Sequence, residues 1–162
     1  MIPNVTITDF NDLVIKNIKQ NIYLNGIECI AEAKGLDFYD QDPTQEGWIE
    51  ATTKNIIPQV DLILAADVIC QPDDAYAAAR SIQSALKPGG KAIVISGDLK
   101  HRYGVECFEG ACIDLNLNVS KYNVADLYEG KLIATDMEKT SGYVDGMTLS
   151  MFVVCKKALD RN

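Results

Sequence analysis

Two aspartates stand at the ends of strand-like segments, where a carboxylate is available for ligand chemistry. Asp9 follows Val5–Thr8, and Asp67 closes the apolar run Val60–Ala66. A carboxylate after a first strand can accept hydrogen bonds from both hydroxyls of a ribose; the alternative for Asp9 is to cap the following helix. A carboxylate after a buried strand needs a partner, because burying an unpaired charge is costly. Asp67 therefore either accepts a hydrogen bond from a loop or faces the cation of a ligand.

The pair Asp37-Phe38 follows the second predicted strand. An acid beside an aromatic ring can hold the amino group and the face of an adenine ring, and the alternative is an ordinary loop anchor. His101 is the only histidine, and a single histidine of this kind is typical of a solvated loop. The five cysteines are dispersed without a C-x-x-C pair. They predict no metal site, and they indicate free thiols in apolar surroundings, as in a reducing compartment.

Alternating strands and helices are predicted to position these side chains. Strands are expected at Val5–Thr8, Ile27–Ala31, Val60–Ala66, Ala92–Ser96, Val119–Val124 and Thr148–Cys155. Helices are expected at Asp12–Ile22, at Trp48–Asn55, from a cap at Asp73 or Asp74 to Leu86, and at Tyr103–Leu115, with a turn at Lys87–Gly90. This order predicts an α/β fold with a Rossmann-like, mostly parallel sheet, helices on both faces and an antiparallel C-terminal edge pair. Val60–Ala66 and Ala92–Ser96 are expected to be neighbouring parallel strands, both largely buried.

Length and charge restrict the class of protein. A chain of 162 residues fits one domain. The 15 Lys and Arg against 23 Asp and Glu give a net charge of −8, which repels a phosphate backbone and disfavours nucleic-acid binding. No apolar run approaches the roughly 18 residues of a membrane span, and no secretory pattern begins the chain. The sequence predicts a cytoplasmic protein, with a nuclear location not excluded, that binds neither nucleic acid nor membrane.

The order and spacing of these segments resemble the class I, seven-strand S-adenosylmethionine-dependent methyltransferases, and within them the protein-lysine methyltransferase family 16. The matching pieces, between about Val5 and Lys156, are Val5–Asp9 with Asn21 and Asn25, Leu36–Phe38, Asp61–Pro72 and Leu86–Lys91. The resemblance implies that S-adenosylmethionine is the cofactor and that Asp9 binds its ribose. It also implies that Asp37 and Phe38 face the adenine. By the same likeness, Ala66 and Asp67 line the pocket near the methyl donor.

Two departures from the family pattern bear on these roles. Cys70 occupies the place where the family usually has Tyr or Phe in the wall around the target lysine. The family's first strand and its glycine-rich loop have no counterpart before Val5. That strand would lie between the strands that end at Asp9 and Asp67, and without it two strand edges would be unpaired. We therefore expect an N-terminally incomplete methyltransferase-like domain that binds the cofactor weakly by itself. The alternatives are that the two strands pair directly or that a second chain completes the sheet.

The leading functional hypothesis is methyl transfer to a protein lysine. An acidic surface suits a basic protein substrate. Asp67 is the candidate catalytic residue, which orients the amine or stabilises its cationic form. This reaction requires no metal. The alternative is a non-catalytic binding or scaffold module, which the absent glycine loop favours. A dinucleotide-dependent oxidoreductase is a weaker hypothesis because the G-x-G-x-x-G fingerprint is absent and Gly89-Gly90 precedes a strand.

Overall fold

The computed structural model describes residues 5–39, 59–97, 102–127 and 148–157. Its helices are α1 (Asp12–Leu24), α2 (Pro72–Ala85) and α3 (Val105–Asp114), with a short 3-10 turn at Val124–Asp126. Its strands are β1 (Val5–Asp9), β2 (Ala31–Gly35), β3 (Val60–Ala66), β4 (Leu86–Gly97), β5 (Leu117–Asn123) and β6 (Leu149–Lys156). The chain divides into two compact units, residues 1–56 and 57–162. The predicted helix Trp48–Asn55 and residue His101 lie outside the described residues, and the single domain stays a prediction.

The first unit is a parallel strand pair with one helix packed against it. Strands β1 and β2 are in register from Val5 opposite Ala31 to Asp9 opposite Gly35. Helix α1 contacts both strands and buries Ile15 and Ile22, which lie seven residues apart on one helical face. The predicted positions of the first strand and of the helix that follows it are therefore confirmed.

Strand β2 lies further along the chain than the sequence pattern predicted. The prediction of Ile27–Ala31 is wrong, because the carbonyl oxygen of Ile27 accepts from the amide groups of Ile30 and Ala31, at 3.0 Å each, and closes a turn. The observed strand alternates small and charged residues from Ala31 to Gly35. Such a segment has low intrinsic strand propensity, so its pairing with β1 determines its position.

The second unit is a four-stranded sheet in the order β3-β4-β6-β5. Strands β3 and β4 are parallel, and β6 runs antiparallel to both β4 and β5. The α/β class, the parallel neighbours and the antiparallel pair containing the edge strand β5 are thus confirmed. Helices α2 and α3 pack against each other, and Phe108 of α3 meets Phe152 of β6 edge to face at 5.1 Å. Together with the fully buried Val94 and Val154, they form the core.

The predicted turn at Lys87–Gly90 lies inside β4 instead of before it. Val60 pairs with Leu86 and Leu62 pairs with Lys91, so these four residues bulge out of the ladder. Gly89 has a φ angle of +81°, a left-handed conformation that glycine adopts at little cost. The pattern located the chain reversal correctly, and the pairing with β3 converts it into a bulge.

The prediction that β3 is largely buried is wrong. Leu62 is 54% exposed and Leu64 is 72% exposed, whereas Ala92 and Val94 of β4 are fully buried. Within the described residues β3 pairs with β4 alone, so it is an edge strand. Leu64 shares the face of its partner Ile93, opposite to the face that contains Val94 and packs against the helices. An apolar composition therefore predicted the strand correctly and its burial incorrectly.

None of the helices that the structure describes is long and apolar enough to cross a membrane.

Candidate functional site

Asp9 and Asp37 come together at one edge of the first unit. Asp9 is the last residue of β1 and is paired with Gly35 at the end of β2, and Asp37 follows two residues later. The amide group of Leu36 donates to the carbonyl oxygen of Asp9 at 2.9 Å, so the chain leaving β2 is held against the end of β1. Parallel strands bring their carboxyl ends to the same edge of a sheet, and this geometry places both aspartates there.

Each of these carboxylates is oriented by one local hydrogen bond. The Oδ1 atom of Asp9 accepts from the amide group of Asn11 at 2.8 Å, and that of Asp37 accepts from the amide group of Tyr39 at 2.9 Å. Both carboxylates, like the ring of Phe38, are half-buried. Among the described residues no donor to either Oδ2 atom is found, so each carboxylate has an acceptor oxygen available for a ligand hydroxyl or amino group.

Asp9 does not cap helix α1, so that alternative is wrong. The N-cap is Asn11, whose Oδ1 atom accepts from the amide group of Leu13 at 2.9 Å. Asp37 has the hydrogen bond of a loop anchor, which leaves its second oxygen for the predicted contact with an adenine amino group.

Asp67 ends β3 in an unusual backbone conformation. Its φ angle is +55°, in the left-handed region that aspartate and asparagine tolerate better than other residues with a Cβ atom. Its amide group donates to the carbonyl oxygen of Ile95 at 2.7 Å, which continues the contact between β3 and β4 by one residue. The neighbouring Ala66 is exposed. This backbone turn directs the chain away from the sheet at the position where a ligand is expected.

Arg102 binds both oxygens of the Asp67 carboxylate. Its Nε atom donates to Oδ1 at 2.9 Å and its Nη2 atom donates to Oδ2 at 2.5 Å. These hydrogen bonds are the largest cause of a lowered pKa for Asp67, to which the backbone amide of Gly97 also contributes, and they raise the pKa of Arg102. Both side chains remain partly exposed, 49% for Asp67 and 32% for Arg102. Asp67 thus has a cationic partner within its own chain.

The loop after β3 is stabilised by a second aspartate. The amide groups of Cys70 and Gln71 donate to the Oδ2 atom of Asp74 at 2.9 Å each. Helix α2 therefore begins with Gln71 as its N-cap, and the prediction of Asp73 or Asp74 as the cap residue is wrong. Asp74 acts from inside the first turn, where a negative charge also interacts favourably with the helix dipole.

The cysteines do not share the buried surroundings expected from the sequence. Cys112 is buried, but Cys29 and Cys70 are exposed, and Cys107 and Cys155 are intermediate. Cys70 lies in the loop after β3, near enough to Arg102 to affect its pKa. In the described part of the chain no group of three or more His, Cys, Asp or Glu side chains is placed to hold a metal ion.

The predicted cofactor residues are divided between the two units. Asp9, Asp37 and Phe38 belong to the first unit, and Ala66 and Asp67 belong to the second. Sequence reasoning missed Arg102, since nothing in its sequence neighbourhood separates it from other surface cations. The available signal was its position shortly after β4, at the carboxyl end of the parallel strands.

The fold is similar to that of solved S-adenosylmethionine-dependent methyltransferases. A TehB-like enzyme of this class from Corynebacterium glutamicum matches with a TM-score of 0.59 and 19% identity, over 95% of this chain and 68% of its own. A putative sarcosine dimethylglycine methyltransferase from Galdieria sulphuraria matches with a TM-score of 0.62 and 11% identity, over 95% of this chain and 70% of its own. The chain therefore has the class I methyltransferase fold.

The same fold also includes a protein whose activity is described as cyclisation. The cyclase SpnF matches with a TM-score of 0.63 and 13% identity, over 97% of this chain and 68% of its own. No protein-family profile and no curated protein matches the sequence. At these low identities the structural similarity establishes the fold and does not assign an activity.

Proposed function

We propose that the protein is an S-adenosylmethionine-dependent methyltransferase that methylates the side-chain amine of a protein lysine. The observation that carries the proposal is the placement of Asp9 and Asp37 at the adjoining carboxyl ends of β1 and β2. In open α/β sheets ligands bind beyond this end of the strands. Two oriented carboxylates, each with an acceptor oxygen available, suit a ligand that offers pairs of hydroxyl and amino donors.

These residues fit the adenosine part of S-adenosylmethionine. The Oδ2 atom of Asp9 is the candidate acceptor for the ribose hydroxyls, since its Oδ1 atom already accepts from Asn11. Asp37 is the candidate acceptor for the adenine amino group, and Phe38 next to it offers an aromatic face. When bound, the cofactor supplies a methyl group: its carbon–sulfur bond breaks with the electron pair left on sulfur, the acceptor's lone pair forms the new bond, and the acceptor's proton goes to solvent.

The acceptor is proposed from charge and from the site at the end of β3. The chain has a net charge of −8, and an acidic surface attracts basic protein segments at long range. Asp67 is the proposed catalytic residue there, because a carboxylate beside the amine can accept one of its N–H groups and hold it in place. Positioning of this kind supplies a large share of the rate in a transfer reaction.

Methyl transfer from labelled S-adenosylmethionine to lysine-containing peptides is the direct test for the full-length protein. Matched peptides with arginine in place of lysine are the control, because they keep the charge and remove the proposed acceptor. Label on the lysine peptides alone supports the proposal. Label on small molecules but on neither peptide would exclude the lysine acceptor, and calorimetry without detectable cofactor binding would favour a scaffold module of the same fold.

A further inference from the structure

We propose that Arg102 is a specificity-determining residue. Its guanidinium group binds both oxygens of the Asp67 carboxylate, so that Asp67 binds the acceptor as a neutral amine and not as an ammonium ion. This inference rests on the proposed transfer to an amine. It goes beyond that function by specifying the charge state in which the acceptor binds and the residue that selects it.

The geometry makes Arg102 a difficult partner to displace. Its two N–H groups meet the two carboxylate oxygens at 2.9 and 2.5 Å, the planar two-point arrangement that an ammonium group cannot reproduce. Gly104, two residues later, donates its amide to the carbonyl oxygen of Cys70 at 3.2 Å. This hydrogen bond joins the segment that carries Arg102 to the loop after β3, on the side where its guanidinium meets Asp67.

The chemistry of transfer explains why such a pairing is useful. A protonated amine has no lone pair with which to attack a methyl group, and an unpaired carboxylate beside it would favour the protonated form. When Arg102 is in place, the Asp67–Arg102 pair has no net charge. A carboxylate has about four acceptor positions, so Asp67 can still accept an N–H group of the neutral amine. Arg102 acts through Asp67 and does not itself touch the acceptor.

Binding of propylammonium, a simple analogue of the lysine side chain, tests this directly. The measurement follows the side-chain carboxyl resonance of Asp67 by NMR in the full-length protein, without cofactor. We expect Arg102→Met to bind propylammonium at Asp67 about two- to fivefold more tightly than the wild type, the range of a partly exposed ion pair. Arg102→Lys should fall between the wild type and Arg102→Met, because it retains the cation and loses the two-point contact. Arg102→Met combined with Asp67→Asn, in which binding is followed at the backbone amide resonance of residue 67, should lose the gain.

Lys87→Met is the matched control. Lys87 pairs with Asp61 at 2.9 Å, near the opposite end of β3, so its removal frees a carboxylate without changing Asp67. The response of the Asp67 resonance should be that of the wild type. If Lys87→Met strengthened binding at Asp67 as much as Arg102→Met does, the effect would be one of net charge and the proposal would be wrong.

Equal propylammonium affinity at Asp67 in the wild type and Arg102→Met would also overturn the proposal. A second readout covers the case in which Arg102→Met does not fold. The Nε–H resonance of Arg102 in the wild type should be unaffected by propylammonium, and its displacement would refute the inference. Neither measurement involves methyl transfer. A negative activity assay would therefore count against the proposed function, whereas the two NMR measurements would still test the role of Arg102.

Discussion

The backbone of Gly104 lies directly against the carbonyl group of Gln71. A Cβ atom at position 104 would overlap the carbonyl oxygen and carbon of Gln71 and would come within 2.9 Å of the Cγ2 atom of Ile69. The first two obstacles are backbone atoms of the loop after β3, which cannot rotate away. This contact joins that loop to the turn before α3. Arg102 lies in the same turn, two residues before Gly104, and binds Asp67. The ion pair at the end of β3 therefore depends on a residue without a side chain.

Gly104→Ala is expected to destabilise the protein. The added methyl group has to move the loop after β3, and overpacking of this kind lowers the free energy of unfolding by about 1–3 kcal/mol. Urea denaturation measures the change. Gly110→Ala is the matched control, because a Cβ atom there meets nothing within 4 Å and alanine favours a helix over glycine by about 0.5–1 kcal/mol. Equal effects of the two substitutions would show that Gly104 is not in close contact with Gln71.

Leu64→Ala and Leu86→Ala are expected to lower the free energy of unfolding by very different amounts, although the chemical change is the same. Leu64 is 72% exposed on the edge strand β3, and Leu86 at the start of β4 is fully buried. Loss of a buried leucine side chain costs about 2–5 kcal/mol, whereas an exposed substitution stays within about 0.5 kcal/mol. Urea denaturation of both variants measures this difference. A large loss for Leu64→Ala would mean that its face of the sheet is covered in solution.

Asp67→Asn is expected to change the pH dependence of stability. The lowered pKa of Asp67 stabilises the folded state above the carboxyl group's unfolded pKa, and this contribution is lost as the pH falls through the folded value. The free energy of unfolding of the wild type should exceed that of Asp67→Asn by about 0.2–1 kcal/mol at pH 7, since the ion pair with Arg102 is partly exposed. Denaturation at a series of pH values should show this gap closing in acid. A gap that stays constant from neutral pH into strong acid would contradict the assigned ion pair.

The thiols of Cys70 and Cys112 are expected to react at very different rates. Burial raises the pKa of Cys112 to about 12, so it has almost no thiolate at pH 8, whereas Cys70 is exposed. Alkylation with iodoacetamide followed by mass spectrometry should label Cys70 first and Cys112 only after unfolding in urea. Because the raised pKa favours the protonated folded state, Cys112 should also cause stability to fall as the pH rises from about 9 towards 12. Equal labelling of the two thiols in the folded protein would place Cys112 outside the core.

Asp9→Ala in the full-length protein is expected to weaken binding of S-adenosylmethionine. Loss of a charged acceptor from the ribose hydroxyls costs about 1.5–3 kcal/mol of binding free energy, which calorimetry measures. Asp12→Ala is the matched control, since Asp12 carries the same charge in the first turn of the following helix α1 and has no proposed contact with the cofactor. If both variants bound the cofactor equally, Asp9 would serve only to orient the chain at Asn11.

The sequence by itself was sufficient for the α/β class and for the elements with the strongest patterns. Val60–Ala66 and Ala92–Ser96 were identifiable because short, almost unbroken apolar segments fit the length of a strand better than that of a helix. Helix α1 was identifiable from apolar residues at helical spacing. The position of Asp9 at the end of the first strand followed from the same local signals. These features depend on residues close together in the chain, and local propensity is strongest there.

Tertiary structure alone decided the features that depend on residues far apart in sequence. Strand β2 shifted to Ala31–Gly35 because pairing with β1 outweighed its weak propensity. Leu64 is exposed because it lies on the sheet face opposite to the one that contains Val94, which composition does not encode. The partner of Asp67 is Arg102, 35 residues away, and the close approach of Gly104 to Gln71 holds the segment of that arginine against the loop after β3. A pattern in the sequence shows which groups need partners, whereas the packing of backbone against backbone determines which partners they find.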